Sequence, residues 1–125
     1  MVATAGSDIH NAPTQQTIYG RDVVYAQELS ERAILDGIRR GHLYLSAGPQ
    51  LELSAKTADG QIAMMGDCLR DDEALLTVCW DDAPPGACLR WVVNGEIANI
   101  SICNRDGSAD LQFNKNWAVV ELRDT

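Results

Sequence analysis

Histidine is scarce in this sequence: there are two, His10 and His42. A catalytic zinc centre alone takes three protein ligands, so imidazoles cannot build one here. The four cysteines, Cys68, Cys79, Cys88 and Cys103, form no C-x-x-C and have no histidine near them in sequence, which argues against a zinc site. Basic side chains are few, ten against eighteen acidic, for a net charge of −8. That balance speaks against nucleic acid and membrane partners, because both need basic patches; solubility is the plain reading of the charge. No run reaches the length of a membrane span. The opening residues lack a basic n-region and an apolar h-region, so no signal peptide is read and the cytoplasm is the expected location. Nucleophile elbow, P-loop and dinucleotide fingerprint are missing as well.

What is present is ordinary for a globular protein. Hydrophobic residues make up 46% and charged residues 22% of the 125 positions, enough for one core and too little for two. Residues 1–27 are polar and rich in turn signals, with only Val23-Val24-Tyr25 strand-like. A helix is predicted over 31–40. Ser30 is its N-cap, Glu31 suits the positive end of the dipole, and Leu29 is placed to staple onto Ile34. Ala33, Ile34, Leu35 and Ile38 form the apolar stripe, Arg39 and Arg40 suit the last turn, and Gly41 is the expected C′ residue. Gly37, inside the helix, costs about 1 kcal/mol relative to alanine and permits a close approach.

From 42 onward the period changes to two. Strands are predicted at 42–46, 50–57, 74–81, 88–94, 97–103 and 117–123, separated by turn chemistry. Asn94-Gly95 is the strongest hairpin signal, since both residues tolerate the positive φ of a type I′ turn. Short strands with regular turns and no helices between them predict a mainly β fold, an antiparallel, immunoglobulin-like β-sandwich preceded by one short α-helix and an irregular N-terminal segment. Its predicted core is Leu51, Leu53, Leu76, Val78, Trp80, Leu89, Trp91, Val93, Ile100, Ile102, Val120 and Leu122.

The one metal-like motif is Gly6-Ser7-Asp8-Ile9-His10. In an extended segment alternate side chains share a face, so Asp8 and His10 project together, and a carboxylate with an imidazole suits a divalent cation. With Asn11, this stretch resembles the last metal-binding motif of the PHP (polymerase and histidinol phosphatase) superfamily of metal-dependent phosphoesterases. The segments that follow are similar, in order, to its carbaryl-hydrolase-like branch: Val24 to Glu31, Ala33 to His42, Tyr44-Leu45-Ser46-Ala47-Gly48-Pro49, Met65-Gly66-Asp67 and Leu89 to Gly95. The resemblance implies that Asp8 and His10 are metal ligands, with Zn, Mn or Fe as cofactor in a parent enzyme. It implies that 1–27 are a remnant of the hydrolase barrel and 28–125 the helix plus β-sandwich C-terminal domain, with a further strand following Arg123. Superfamily members begin their site with a His-x-His pair, which this sequence does not contain. The chain alone is therefore expected not to be catalytically competent or to hold metal tightly. Its expected partner is the catalytic barrel of the parent, or a second copy in a homodimer. The alternative is a stand-alone β-sandwich binding or interaction module.

Other side chains have two readings each. Trp80, Trp91 and Trp117 are core residues of a sandwich or a platform for sugars, with Trp117 the most exposed of the three. Cys79, Cys88 and Cys103, inside apolar runs, are buried hydrophobes, or Cys79 and Cys88 form a bridge across a hairpin in an oxidising compartment. His42, after the helix C-cap, is structural or a ligand. Asp71-Asp72-Glu73 and Asp81-Asp82 are solvated turns or calcium ligands. Tyr19 and Arg21 are placed to meet a phosphate in the parent.

Overall fold

The computed structural model describes residues 2–6, 20–114 and 116–124. The chain divides into two compact units, Met1–Gly48 and Pro49–Thr125. The sequence boundary at 27/28 therefore differs from the spatial one, and the helix groups with the segment before it. The core cluster lies in the second unit.

In the first unit, β1 (Arg21–Val24) and β2 (Leu43–Ser46) pair antiparallel, from Arg21 opposite Ser46 to Val24 opposite Leu43. Between them runs α1 (Glu31–Arg40), with the predicted bounds. Its ends are fixed by local chemistry. The Ser30 hydroxyl accepts the Ala33 N–H at 3.2 Å, which satisfies one orphan donor of the first turn. At the other end Gly41 has φ 74°, and the N–H groups of Gly41 and His42 reach back to the carbonyls of Ile38 and Gly37 at 3.0 and 2.9 Å. This is the paired closure of a Schellman motif, which a glycine at C′ makes accessible. The predicted staple is not made: Leu29 is 97% exposed, so the Ser30 cap holds the N-terminus without an apolar clasp. No helix among the described residues is long and apolar enough to cross a membrane.

The second unit is a sandwich of two antiparallel sheets. One has the order β4-β3-β5-β8, from β3 (Gln50–Lys56), β4 (Ile62–Met64), β5 (Ala74–Asp81) and β8 (Gly107–Phe113). The other has the order β7-β6-β9, from β6 (Cys88–Val93), β7 (Glu96–Ile102) and β9 (Ala118–Arg123). Setting β4 aside, β3-β5-β8 and β7-β6-β9 follow the A-B-E and C′-C-F neighbours of an immunoglobulin sandwich, and buried Trp91 sits on the C-like strand β6. The core is Leu76, Val78, Leu89, Trp91 and Cys103, with Leu51, Leu53, Trp80, Leu111, Phe113, Val120 and Leu122 among the residues packed against it. Val78 and Leu89 are fully enclosed. Asn94 (φ 50°) and Gly95 (φ 84°) close the β6–β7 hairpin as predicted, leaving Val93 opposite Glu96.

Two predicted core residues are on the surface. Ile100 is 57% and Ile102 is 86% exposed. The reason is a β-bulge: Val92 faces Ile97 but Trp91 faces Asn99, so Ala98 is the extra residue. An uninterrupted hairpin would bring Ile100 opposite Leu89 on the core side. The extra residue inverts the pleat beyond it and places Asn99 and Ser101 opposite Trp91 and Leu89 instead. Three strands are absent from the predicted set: β4, β8 and β1, which forms within the segment expected to be irregular although Val23 and Val24 read as strand-like.

Candidate functional site

Asp8, His10 and Tyr19 lie outside the described residues. Arg21 opens β1 and is exposed. His42 is placed by its backbone: its N–H donates to the Gly37 carbonyl, and its own carbonyl accepts the Tyr25 N–H at 2.8 Å. The described residues include no group of three or more His, Cys, Asp or Glu arranged to hold a metal.

The acidic pair at the end of β5 is engaged in a charged corner. Asp82 takes a left-handed conformation, φ 62°. Arg105 directs Nε and Nη2 at its Oδ1, 3.1 and 2.8 Å away. The Asp82 N–H donates to Asp106 Oδ1 at 3.0 Å, and the Ala83 N–H to the Arg105 carbonyl at 2.8 Å. The Asp82 N–H, and then the hydrogen bond from Asp81, hold the Asp106 carboxyl below the usual carboxylate range. The hydrogen bond to Asp106, and then its charge, push Asp81 above that range. Of the two neighbouring carboxyls Asp81 is thus the weaker acid, and Arg105 pairs with Asp82. These contacts tie the end of β5 to the loop before β8. Asp71, Asp72 and Glu73 are all exposed.

The cysteines do not form the proposed bridge. Cys79 is on β5 and Cys88 on β6, strands of different sheets, so no hairpin joins them, and all four thiols are free. Cys79 is exposed, not buried, because Leu76 and Val78 take the inner face of β5 and leave it outside. Cys103 is buried, and burial raises its thiol pKa. The tryptophans divide as the sandwich requires. Trp91 is buried, Trp80 packs against the core and donates Nε1–H to the Asn104 carbonyl at 2.9 Å, and Trp117 is 49% exposed.

The surface feature that the sequence does not announce is the outer face of β7-β6-β9. Ile97, Val92 and Val119 form one row across the three strands; Ile100, Arg90 and Glu121 form the next; Ile102, Cys88 and Arg123 the third. Ile97, Ile100, Ile102 and Val119 are all exposed, as is Trp117 just before β9. Arg90 and Glu121 are paired at the centre, with Arg123 Nη1 3.6 Å from the same carboxylate. Contiguous exposed apolar side chains of this kind mark surfaces for contact more often than solvent-facing sheets. The bulge at Ala98 brings Ile100 and Ile102 onto it, and no residue type around 98 signals a bulge. No protein family, curated protein or solved structure matches this chain.

Proposed function

We propose that this chain is the C-terminal part of a PHP-type metal-dependent hydrolase of phosphate or related esters, in which the sandwich is a non-catalytic accessory module. The observation that carries this reading is the Gly6-Ser7-Asp8-Ile9-His10 motif, followed in order by the helix and hairpin segments of the carbaryl-hydrolase-like branch. Asp8 and His10 contribute one carboxylate and one imidazole to the parent's metal site. Two donors do not make a resident catalytic centre, which takes three protein ligands for one zinc and more for two metals. The donor set of this chain therefore does not fit the metal by itself, and no step of hydrolysis is assigned to its residues.

Two measurements test the proposal. The reading frame upstream of Met1 is expected to encode a barrel with a His-x-His pair; an in-frame stop there overturns the assignment to a larger enzyme. The purified chain, loaded with Zn, Mn or Fe and dialysed, is expected to retain well under one ion per molecule. A stoichiometric ion that is lost in Asp8→Ala would overturn the incompleteness of the site.

The second reading, a stand-alone interaction module, is favoured by the apolar outer face of β7-β6-β9. The same upstream sequence separates the two.

A further inference from the structure

Of the six asparagines only Asn94 is followed by glycine; the others precede Ala12, Ile100, Arg105, Lys115 and Trp117. Asparagine is thermolabile because its side-chain amide is open to attack by the backbone nitrogen of the next residue. Glycine lacks the Cβ that crowds this approach. The step forms a bond from Gly95 N to Asn94 Cγ, and the side-chain nitrogen leaves as ammonia, taking up the Gly95 proton. Water then opens the five-membered ring at either carbonyl. One product is aspartate; the other is an isoaspartyl link, in which the main chain runs through the side-chain methylene. Both reacting groups belong to this chain, and water is the one co-reactant.

In the folded chain Trp117 holds both groups. The Asn94 N–H donates to the Trp117 carbonyl at 3.1 Å, and the Trp117 N–H donates to Asn94 Oδ1 at 3.3 Å. Gly95 lies beside the indole of the same residue: a Cβ placed on it would be 3.9 Å from Trp117 Cζ2. Val93, just before the turn, pairs with Glu96 on one side and Ala118 on the other. Ring closure requires Asn94 Cγ to swing onto Gly95 N, and the Trp117 N–H opposes this by holding Oδ1. It also requires the backbone to turn about the Asn94 Cα–C bond, which the pairing on both sides of the hairpin opposes.

We propose that Asn94-Gly95 is a deamidation site that the folded hairpin keeps closed. The two hydrogen bonds to Trp117 block ring formation until the tip opens, and the isoaspartyl product then bars the tip from closing again. An extra main-chain carbon in a two-residue turn no longer matches the pairing of Val93 with Glu96. The aspartyl product, by contrast, keeps an oxygen for the Trp117 N–H. The proposal does not rest on the hydrolase reading.

Incubation of the natural chain at mildly alkaline pH, with and without denaturant, tests it through peptide mapping and amide hydrogen exchange. The denatured chain is expected to lose the Asn94 amide ahead of the other five asparagines. The folded chain should lose it about tenfold more slowly or less, as two net hydrogen bonds imply. That suppression should match the exchange protection of the Asn94 N–H, since both need the same opening. Once denaturant is removed, isoaspartyl molecules are expected to leave the amides of 92–97 unprotected, while aspartyl molecules refold like the natural chain. Trp117→Pro deletes the N–H donor and is expected to bring the folded rate towards the denatured one. Equal rates in the two states overturn the proposal. So does faster loss in the folded chain, because the Trp117 N–H would then activate the amide. A folded Trp117→Pro chain that reacts no faster, or an isoaspartyl chain that regains the pairing of Val93 with Glu96, overturns it as well. The two states of the natural chain decide the matter even if the variant folds poorly.

Discussion

Gly37 lies against the backbone of Tyr25: a Cβ placed on it would come within 2.7 Å of the Tyr25 carbonyl oxygen and 2.6 Å of Val24 Cγ1. The helix can approach β1 this closely only because the side chain is missing. In an exposed helix, Gly→Ala is favourable by about 1 kcal/mol. At this position the sign reverses, since backbone cannot yield as a flexible side chain can. Gly37→Ala is expected to destabilise the first unit by about 1–3 kcal/mol, read as faster amide exchange across 31–42. Unchanged or slower exchange would show that the helix shifts at no cost.

The second unit contains a comparable close approach. Gly107 faces Trp80 across β5 and β8, and a Cβ there would meet the indole at 2.6 Å. Gly107→Ala must displace that ring and strain its hydrogen bond to the Asn104 carbonyl. A loss of about 1–3 kcal/mol in denaturant unfolding is expected, together with a shift in tryptophan emission. If stability falls but emission does not, the strain has been taken by the backbone of β8.

Trp91 and Trp117 provide a contrast within one residue type. Trp91 is 2% exposed in the centre of the core, whereas Trp117 is 49% exposed. Trp91→Ala is expected to cost about 3–5 kcal/mol through the cavity it opens. Trp117→Ala should change stability by no more than about 0.5 kcal/mol. Equal effects in thermal unfolding would place Trp117 in a contact that its exposure does not reveal.

Acid sensitivity should appear at the β3–β4 turn. Thr57 is buried; its hydroxyl donates to Asp59 and accepts the Gln61 N–H at 3.0 Å. The Thr57 hydroxyl, and then the Gln61 N–H, hold the Asp59 carboxyl below its ordinary range. A lowered carboxyl pKa stabilises the fold above the unfolded-state value, and that contribution disappears as pH falls through the folded-state value. Thr57→Val is expected to move the Asp59 titration upward, followed by carboxyl NMR, and to lower the melting temperature at neutral pH. An unmoved titration would mean that the backbone of the turn, not the hydroxyl, sets the carboxyl's acidity.

The elements read correctly from sequence are those whose causes are local. Ser30 and Gly41 fix both ends of α1 through groups within five residues of each cap, so its bounds match the prediction. The same holds for β5, predicted and observed at 74–81, and for the Asn94-Gly95 turn. β8 was missed although Ala109, Leu111 and Phe113 alternate inward, because glycine, serine and aspartate at its start are poor strand formers. Leu29 is as local as the cap yet leaves the staple open, 97% exposed, and the sequence does not show why. Cys79 shows a signal present but not used: the alternation that buries Leu76 and Val78 also turns Cys79 outward. Of the candidate site, the D-x-H spacing is plain in the sequence, whereas Ile100 and Ile102 reach the outer face through a bulge with no residue signature.

That bulge makes register, more than composition, the variable that sets the character of this surface. Pairing without the bulge would leave the seven residues of β7 in order, yet exchange the face that each residue beyond position 98 takes. Ile100 and Ile102 would move to the core side of the sheet, opposite Leu89 and Ala87, and Asn99 and Ser101 to its outer face. A one-residue slip would therefore replace two isoleucines by an asparagine and a serine on the outer face, while Ile97 and Val119 stay where they are.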